Sequence, residues 1–220
     1  MNPKQYYESK IESGEVLPDD SQAQVVDALQ DVYDRLRNPS GSKSTGFIKQ
    51  LLGNGKRATT PETGLYIWGG VGRGKTWLVD LFYNQLPIKA KMRRHFHHFM
   101  SEIHASLAKL EGTRDPLEVV AEKLSKRTRI LCLDEFIVID ITDAMILAQL
   151  LKALFARGVT LVTTSNTEPD NLYENGLQRA NFMPAIEMLK RHTRVIKLDS
   201  DTDYRLRYLE QVTVYHTPLG

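Results

Sequence analysis

The residues most suited to chemistry form a glycine-rich segment in the first half of the chain. Residues 69–76 read GGVGRGKT and fit the Walker A phosphate-binding pattern. Backbone N–H groups of such a loop, with the positive end of the helix that follows, attract a polyphosphate. Lys75 is predicted to reach the β- and γ-phosphates, and the Thr76 hydroxyl to bind Mg²⁺. The predicted nucleotide-binding residues are Gly69, Gly70, Val71, Gly72, Arg73, Gly74, Lys75, Thr76 and Trp77.

Two adjacent carboxylates provide the second element of a nucleotide site, the Walker B pair. Asp134 and Glu135 follow an apolar run at residues 130–133. Asp134 is predicted to hold Mg²⁺ through its water shell. Glu135 is placed to orient and deprotonate the water that attacks the γ-phosphate. A polar strand exit is the alternative, but it would have to coincide with a phosphate loop one crossover upstream. The pair therefore favours hydrolysis of ATP over binding alone.

Two further polar residues follow later predicted elements. Asn166 ends the next strand, where its amide could contact the γ-phosphate or the attacking water, although asparagine is also favoured in turns. Arg179 begins the last helical region and could complete the site of a neighbouring subunit, which predicts a homo-oligomer with Arg179 acting in trans. An ordinary surface arginine is the alternative, and Arg191 and Arg194 are the other candidates.

Alternating strand and helix patterns predict the elements that position these groups. The predicted strands are residues 65–68, 93–99, 129–134, 160–165 and 193–198. The predicted helices are residues 77–82, a helix capped by Ser101 that ends at Gly112, residues 117–126 capped by Asp115, residues 142–157, and about 184–191. Apolar strands separated by helices indicate a parallel sheet covered on both faces, with ligands at the C-terminal strand ends.

The N-terminal part has a different character. Residues 1–38 are predicted to be helical, with a helix capped near Asp19, and residues 41–63 to form a mobile connector with one short helix. We divide the chain into an N-terminal helical extension and connector at 1–62, an ATPase core at 63–200, and the start of a C-terminal region at 201–220.

Composition limits the other functions. The 220 residues have a formal net charge of +2, with 41% hydrophobic and 25% charged residues, which is typical of a globular protein. The N-terminus lacks an apolar signal sequence, and the longest apolar stretch, residues 144–156, is too short to span a bilayer, so no integral membrane segment is expected. Cys132 lies in an apolar run and is predicted to be a buried thiol in a reducing compartment.

Two clusters allow other interpretations. Four histidines between residues 95 and 104 suggest a metal site, but no Cys-x-x-Cys or His-Glu-x-x-His pattern accompanies them. Basic residues at 89–94, including Arg93 and Arg94, could contact a phosphate backbone, although such a run is more often a solvated face. Nucleic acid is therefore not the expected partner.

Four segments resemble the ZapE family of bacterial cell-division ATPases, which includes the mitochondrial lactation-elevated ATPase. They are residues 64–77, 134–136, 140–147 and 175–180, and the similarity extends over nearly the whole chain. The resemblance implies an α/β P-loop NTPase of AAA+ type: a five-stranded parallel sheet, helices on both faces and an N-terminal helical extension. It also implies Mg²⁺-dependent ATP hydrolysis that destabilises FtsZ polymers at the division ring. The implied partners are FtsZ and other division-ring proteins, and the implied location is the cytoplasm, including the periphery of the inner membrane.

The resemblance also assigns roles to residues. Lys75 and Thr76 correspond to the phosphate and metal residues, Asp134 and Glu135 to the metal and base carboxylates, and Asn166 to a sensor. Arg179 lies in a matching segment.

The chain also departs from the family pattern. Position 98 is histidine where relatives commonly have arginine, and residues 137–139 replace a usual Phe-Val-Ser. Relatives continue past position 220 into a helical lid, so we expect these residues to be part of a longer protein and to turn over weakly alone. A helicase-loader-like protein and a nucleotide-gated scaffold with little hydrolysis are the alternatives.

Overall fold

The computed structural model describes residues 1–38 and 60–199. The helices there are α1 (Pro3–Glu12), α2 (Asp20–Arg37), α3 (Lys75–Gln85), α4 (Phe96–Ala108), α5 (Pro116–Arg127), α6 (Ile141–Phe155) and α7 (Arg179–His192). The strands are β1 (Gly64–Trp68), β2 (Lys91–His95), β3 (Ile130–Asp134), β4 (Thr160–Ser165) and β5 (Thr193–Lys197). A 3₁₀ turn covers Pro169–Asn171. The predicted connector helix lies outside the described residues.

The five strands form one parallel sheet in the order β2-β3-β4-β1-β5. Strand β1 is an interior strand, since it pairs with β4 on one side and with the edge strand β5 on the other. At the carboxyl edge Trp68 lies beside Ser165, and His95 lies beside Asp134. Parallel strands end at the same edge, so the segments that follow β1, β3 and β4 emerge together. The predicted five-stranded parallel sheet is confirmed.

Side chains of β1 alternate between two hydrophobic clusters. Leu65 and Ile67 pack with α1, α2 and α3, whereas Tyr66 packs with α4 to α7. Phe82 on the first face and Phe96 on the second are almost completely buried. Burying a phenylalanine side chain of this kind stabilises the fold by about 1.5–3 kcal/mol. Helices thus cover both faces, as predicted.

Helix α2 forms part of the first cluster. It begins after Asp19, whose side chain accepts a hydrogen bond from the backbone N–H of Gln22 at 2.9 Å. Its buried apolar positions recur at helical spacing, as in Val25, Leu29 and Val32. The predicted N-terminal helix is confirmed, and it packs against the sheet through α3 and β1.

The second predicted strand extends too far. Strand β2 ends at His95, and α4 starts at Phe96, so the strand predicted to run to residue 99 and the cap predicted at Ser101 are wrong. Phe96, Phe99 and Ile103 recur at helical spacing and are buried on one face. Burial of that face determines the helix start.

One other helix start and one predicted cap differ from the structure. Helix α7 begins at Arg179 rather than near Pro184. A proline inside a helix usually interrupts it, but Phe182 and Ile186 bury a continuous helical face across this one. Asp115 precedes α5 as predicted, yet its side chain makes no capping hydrogen bond. Among these helices, none combines the length and apolarity needed to cross a membrane.

Candidate nucleotide site

The phosphate loop depends on glycines for its conformation. It leaves β1 at Gly69 and enters α3 at Lys75. Gly72 and Gly74 each have a φ of 84°, in the left-handed region that favours glycine. A Cβ on Gly69 would lie 2.3 Å from the carbonyl oxygen of Leu198, so the backbone there approaches too closely for any side chain. The predicted loop geometry is therefore present.

Lys75 lies inside this loop. Its ammonium donates hydrogen bonds to the carbonyl oxygens of Gly69 at 2.6 Å and Gly70 at 2.7 Å. A third bond, of 2.9 Å, reaches the side-chain oxygen of Asn166 at the end of β4. The lysine is 9% exposed. The structure thus brings together two predicted site residues that are 91 positions apart.

The two carboxylates at the end of β3 differ in exposure. Asp134 is 2% exposed, whereas the Glu135 side chain is 68% exposed. Glu135 has a φ of 56°, and its backbone N–H donates to the Thr164 hydroxyl at 3.1 Å. The next N–H, of Phe136, donates to the Thr164 carbonyl at 2.7 Å. Strand β4 therefore fixes the turn that directs the two carboxylates differently.

A cavity of about 590 Å³ connects these elements. It is lined by residues 71–77 of the phosphate loop and α3, 135–137 after β3, and 164–167 at the end of β4. Its volume is within the range of small-molecule and cofactor sites. Lys75, Glu135 and Asn166 all belong to its lining. The cavity therefore places a cation, a carboxylate and an amide around one space.

Comparison with known proteins assigns the family. The model of the AFG1-like ATPase family matches residues 1–220. The chain belongs to the AFG1-like ATPase family. Cell division protein ZapE of Escherichia coli K12 is 49% identical over 226 residues, covering 100% of this chain and 60% of ZapE. Lactation elevated protein 1 homolog B of Danio rerio is 44% identical over 161 residues, covering 68% of this chain and 32% of that protein. The resemblance to the ZapE family is confirmed.

Solved structures show the fold. The crystal structure of DnaI aligns with a TM-score of 0.55 at 16% identity, covering 84% of this chain and 88% of DnaI. AMPPCP-bound DnaA from Aquifex aeolicus aligns with a TM-score of 0.56 at 13% identity, covering 89% of this chain and 52% of the DnaA chain. The AFG1-like ATPase therefore has the α/β P-loop fold of AAA+ type, as predicted. The chain spans 60% of the length of ZapE.

The oxygen donors of this AFG1-like ATPase fit a magnesium ion. Thr76 is the second residue of α3, after Lys75. It lies near the buried Asp134, because the guanidinium of Arg93 contacts both the Thr76 carbonyl and the Asp134 carboxylate. Mg²⁺ is usually held by one or two carboxylates with hydroxyl, water and phosphate oxygens. Within residues 1–38 and 60–199 no group of three or more His, Cys, Asp or Glu could hold a metal. Thr76 and Asp134 therefore stay the predicted magnesium residues.

Sequence reasoning missed the role of Arg93. Its Nε donates to Asp134 Oδ2 at 2.7 Å, its Nη2 lies 3.3 Å from Asp134 Oδ1, and its Nη1 donates to Asp80. The side chain is 16% exposed, whereas Arg94 is 44% exposed and pairs with Glu102. The interpretation of residues 89–94 as a solvated face is therefore wrong for Arg93. Only the register of β2 beside β3 reveals the pairing.

The N-terminal helices also reach the phosphate loop. Gln22 on α2 is 1% exposed, and its amide donates to the carbonyl of Arg73 at 3.4 Å. The rings of Tyr7 on α1 and Trp77 on α3 lie 6.1 Å apart. No spacing in the sequence indicates these contacts, because they join segments that are distant in the chain.

Histidines at the end of β2 lie near Glu135. The Nδ1 atom of His95 is 3.8 Å from a Glu135 carboxylate oxygen, and the rings of His97 and His98 are 3.9 Å apart. His104 is separate, with its Nε2 atom 2.7 Å from an Asp143 oxygen. The four histidines are therefore distributed over two places on the surface.

Arg179 lies away from the cavity of its own chain. It starts α7, and its guanidinium donates to the backbone carbonyl of Asp170. It is absent from the residues that line the cavity. Arg191 and Arg194 are exposed at the end of α7 and on β5. The structure therefore does not bring any of the three arginines to the Lys75 site of the same chain.

Proposed function

We propose that this AFG1-like ATPase hydrolyses ATP in the cavity between the phosphate loop and the ends of β3 and β4. The observation that carries the proposal is the bond of 2.9 Å between Lys75 and Asn166, because it joins the phosphate loop to the next strand end beside Glu135. The loop N–H groups and Lys75 would bind the phosphates. Thr76 and Asp134 would hold Mg²⁺, which neutralises charge on the phosphate oxygens.

Glu135 and Asn166 would act on the attacking water in this proposal. Glu135 is exposed to the cavity, so its carboxylate can accept the proton of a water there. Asn166 presents its amide to the same cavity from the end of the neighbouring strand β4, where it can orient that water or contact the γ-phosphate. Asn166 would have to exchange its bond with Lys75 for a bond to phosphate or water when ATP binds.

The test compares Asn166→Ala with Asn171→Ala in the full-length protein. Asn171 is an exposed residue of the 3₁₀ turn and serves as the control. We expect Asn166→Ala to reduce phosphate release at saturating Mg-ATP by about tenfold to a hundredfold, since one donor to the developing charge is lost. Binding of a fluorescent ATP analogue should remain. Equal rates in both variants would contradict the sensor role.

We further propose that the protein acts in the cytoplasm at the division site, on FtsZ polymers. The support is the 49% identity to a protein named for cell division, together with the ZapE-type motifs. Sedimentation of FtsZ polymers with ATP and the full-length protein tests the substrate. Polymer mass should fall with the wild type and not with Asn166→Ala. Unchanged polymer mass at every ratio would exclude FtsZ as the substrate.

A homo-oligomer with Arg179 acting in trans is part of the proposal. Its support is the position of Arg179 outside the cavity of its own chain. Arg179→Ala and Glu135→Gln should each be inactive alone. When mixed, they should regain part of the ATPase rate, because an intact site can then receive an intact arginine from a neighbour. No recovery on mixing would contradict action in trans.

A further inference from the structure

Arg93 joins the candidate metal site to the helix that follows the phosphate loop. Its guanidinium contacts both carboxylate oxygens of Asp134, at 2.7 and 3.3 Å. The same group donates to Asp80 on α3 and, at 3.3 Å, to the carbonyl of Thr76. Arg93 therefore contacts both predicted metal residues, Thr76 and Asp134, and also Asp80, which lies further along α3.

The contact with Asp134 conflicts with metal binding. Asp134 is buried, and each of its two carboxylate oxygens accepts a hydrogen bond from Arg93. A cation bound through Asp134 would need the same oxygens, and it would lie close to the positive guanidinium. Because like charges repel, Arg93 in this position opposes the entry of a divalent cation.

Asp80 is a second ion-pair partner of Arg93. It lies on α3 one helical turn after Thr76, its side chain is 51% exposed, and it already accepts a hydrogen bond from Arg93. An exposed carboxylate can receive the arginine at little desolvation cost. The guanidinium can thus leave Asp134 and keep an ion pair with Asp80.

We propose that Arg93 is a positioning residue that pairs with both Asp134 and Asp80 until a divalent cation binds, and then leaves Asp134 and keeps its ion pair with Asp80. The inference rests on the proposed function, because it requires Asp134 to be a metal residue. Arg93 is on β2, two residues before His95, so the exchange links the state of the metal site to the strand end that leads into α4.

The experiment measures metal binding rather than turnover. Mn²⁺ is titrated into the full-length protein with ADP, and free Mn²⁺ is followed by electron paramagnetic resonance. We expect Arg93→Met to bind Mn²⁺ about tenfold more tightly, which is the effect of a unit charge roughly 6 Å from a divalent ion even at the dielectric constant of water. Asp80→Asn should bind Mn²⁺ several-fold more weakly. Without the Asp80 charge, Arg93 has no ion pair to keep after it leaves Asp134, so its release from Asp134 costs more free energy.

Two variants control for charge and for structure. Arg94→Met removes the same charge from an exposed neighbour that pairs with Glu102, and it should leave the Mn²⁺ affinity within about twofold of wild type. Arg93→Lys keeps the charge and should stay nearer the wild type than Arg93→Met. A purely structural role for Arg93 predicts weaker binding in Arg93→Met, so weaker or unchanged binding overturns the inference. Equal tightening in Arg94→Met also overturns it.

The failure of the inference can be distinguished from the failure of the proposed function. Asp134→Asn should weaken Mn²⁺ binding strongly if Asp134 is a metal residue. If it has no effect, the proposed metal site is wrong. If it weakens binding but Asp80→Asn and Arg93→Met do not move in opposite directions, only the role of Arg93 is wrong. Should Arg93→Met fail to fold by thermal melting, the direction of Asp80→Asn decides.

Discussion

Substitution of Glu135 separates the catalytic role of its side chain from the strain in its backbone. The residue has a φ of 56°, which costs a residue with a Cβ about 1–2 kcal/mol and glycine almost nothing. Its side chain is 68% exposed, so little packing is lost when it is removed. Glu135 contributes only its backbone N–H to the bond with the Thr164 hydroxyl, so that bond remains in any variant at position 135.

Two variants follow from these quantities. Glu135→Gln keeps the Cβ and the strain, so its free energy of unfolding should stay within about 0.5 kcal/mol of wild type. Glu135→Gly relieves the strain, but it also lowers the free energy of unfolding by about 0.4–1 kcal/mol, because glycine gives the unfolded chain more conformational freedom. The difference between the two ranges is about 0–1.6 kcal/mol, so the expected net gain in the free energy of unfolding is about 0.8 kcal/mol. For a chain of this length a gain of about 0.8 kcal/mol raises the melting temperature by about 2–3 °C.

Both variants should lose the catalytic base. We expect the rate of phosphate release to fall by about 10²- to 10⁴-fold in each, with nucleotide affinity little changed. Phosphate release is measured in the full-length protein at saturating Mg-ATP, and melting by calorimetry without nucleotide. A glycine variant that melts below the glutamine variant would refute the strain argument. A glutamine variant with the wild-type rate would refute the assignment of the base.

Two other predictions concern the core. Gly64→Ala would place a Cβ 1.7 Å from the carbonyl oxygen of Leu161 in β4. We therefore expect the free energy of unfolding, measured in urea, to fall by about 3 kcal/mol or more. Gly112→Ala, with a φ of 78° and no atom within 4 Å of its Cβ, should lose only about 1–2 kcal/mol, and equal losses would contradict the close approach. Burial raises the pKa of the Cys132 thiol to about 12, so at pH 8 it stays protonated. A disulfide reagent should therefore modify it in urea but not in the native protein, and rapid native labelling would contradict its burial.

The sequence predicted most of the sheet because β1 and β3 are short apolar runs and β4 is rich in β-branched residues. Strand β4 was predicted with its observed bounds, and β3 within one residue. The start of α4 was mispredicted, because the histidines from 95 onward interrupt the pattern and the helical face is recognised only from its burial. The predicted α7 was too short, because Pro184 suggested that the helix begins there. The helix in fact begins at Arg179 and buries a continuous face on both sides of the proline.

The chain alone determined which residue types stand at which strand ends: a glycine loop with Lys75 after β1, two carboxylates after β3, and Asn166 after β4. Those features are local, because they depend on neighbours in sequence and on the rule that parallel strands end together. Tertiary structure alone decided that Lys75 bonds to Asn166, and that Arg93 occupies Asp134 rather than a solvated surface. Such contacts depend on strand order and register, which are set by the packing of the whole sheet and are not encoded in any single segment.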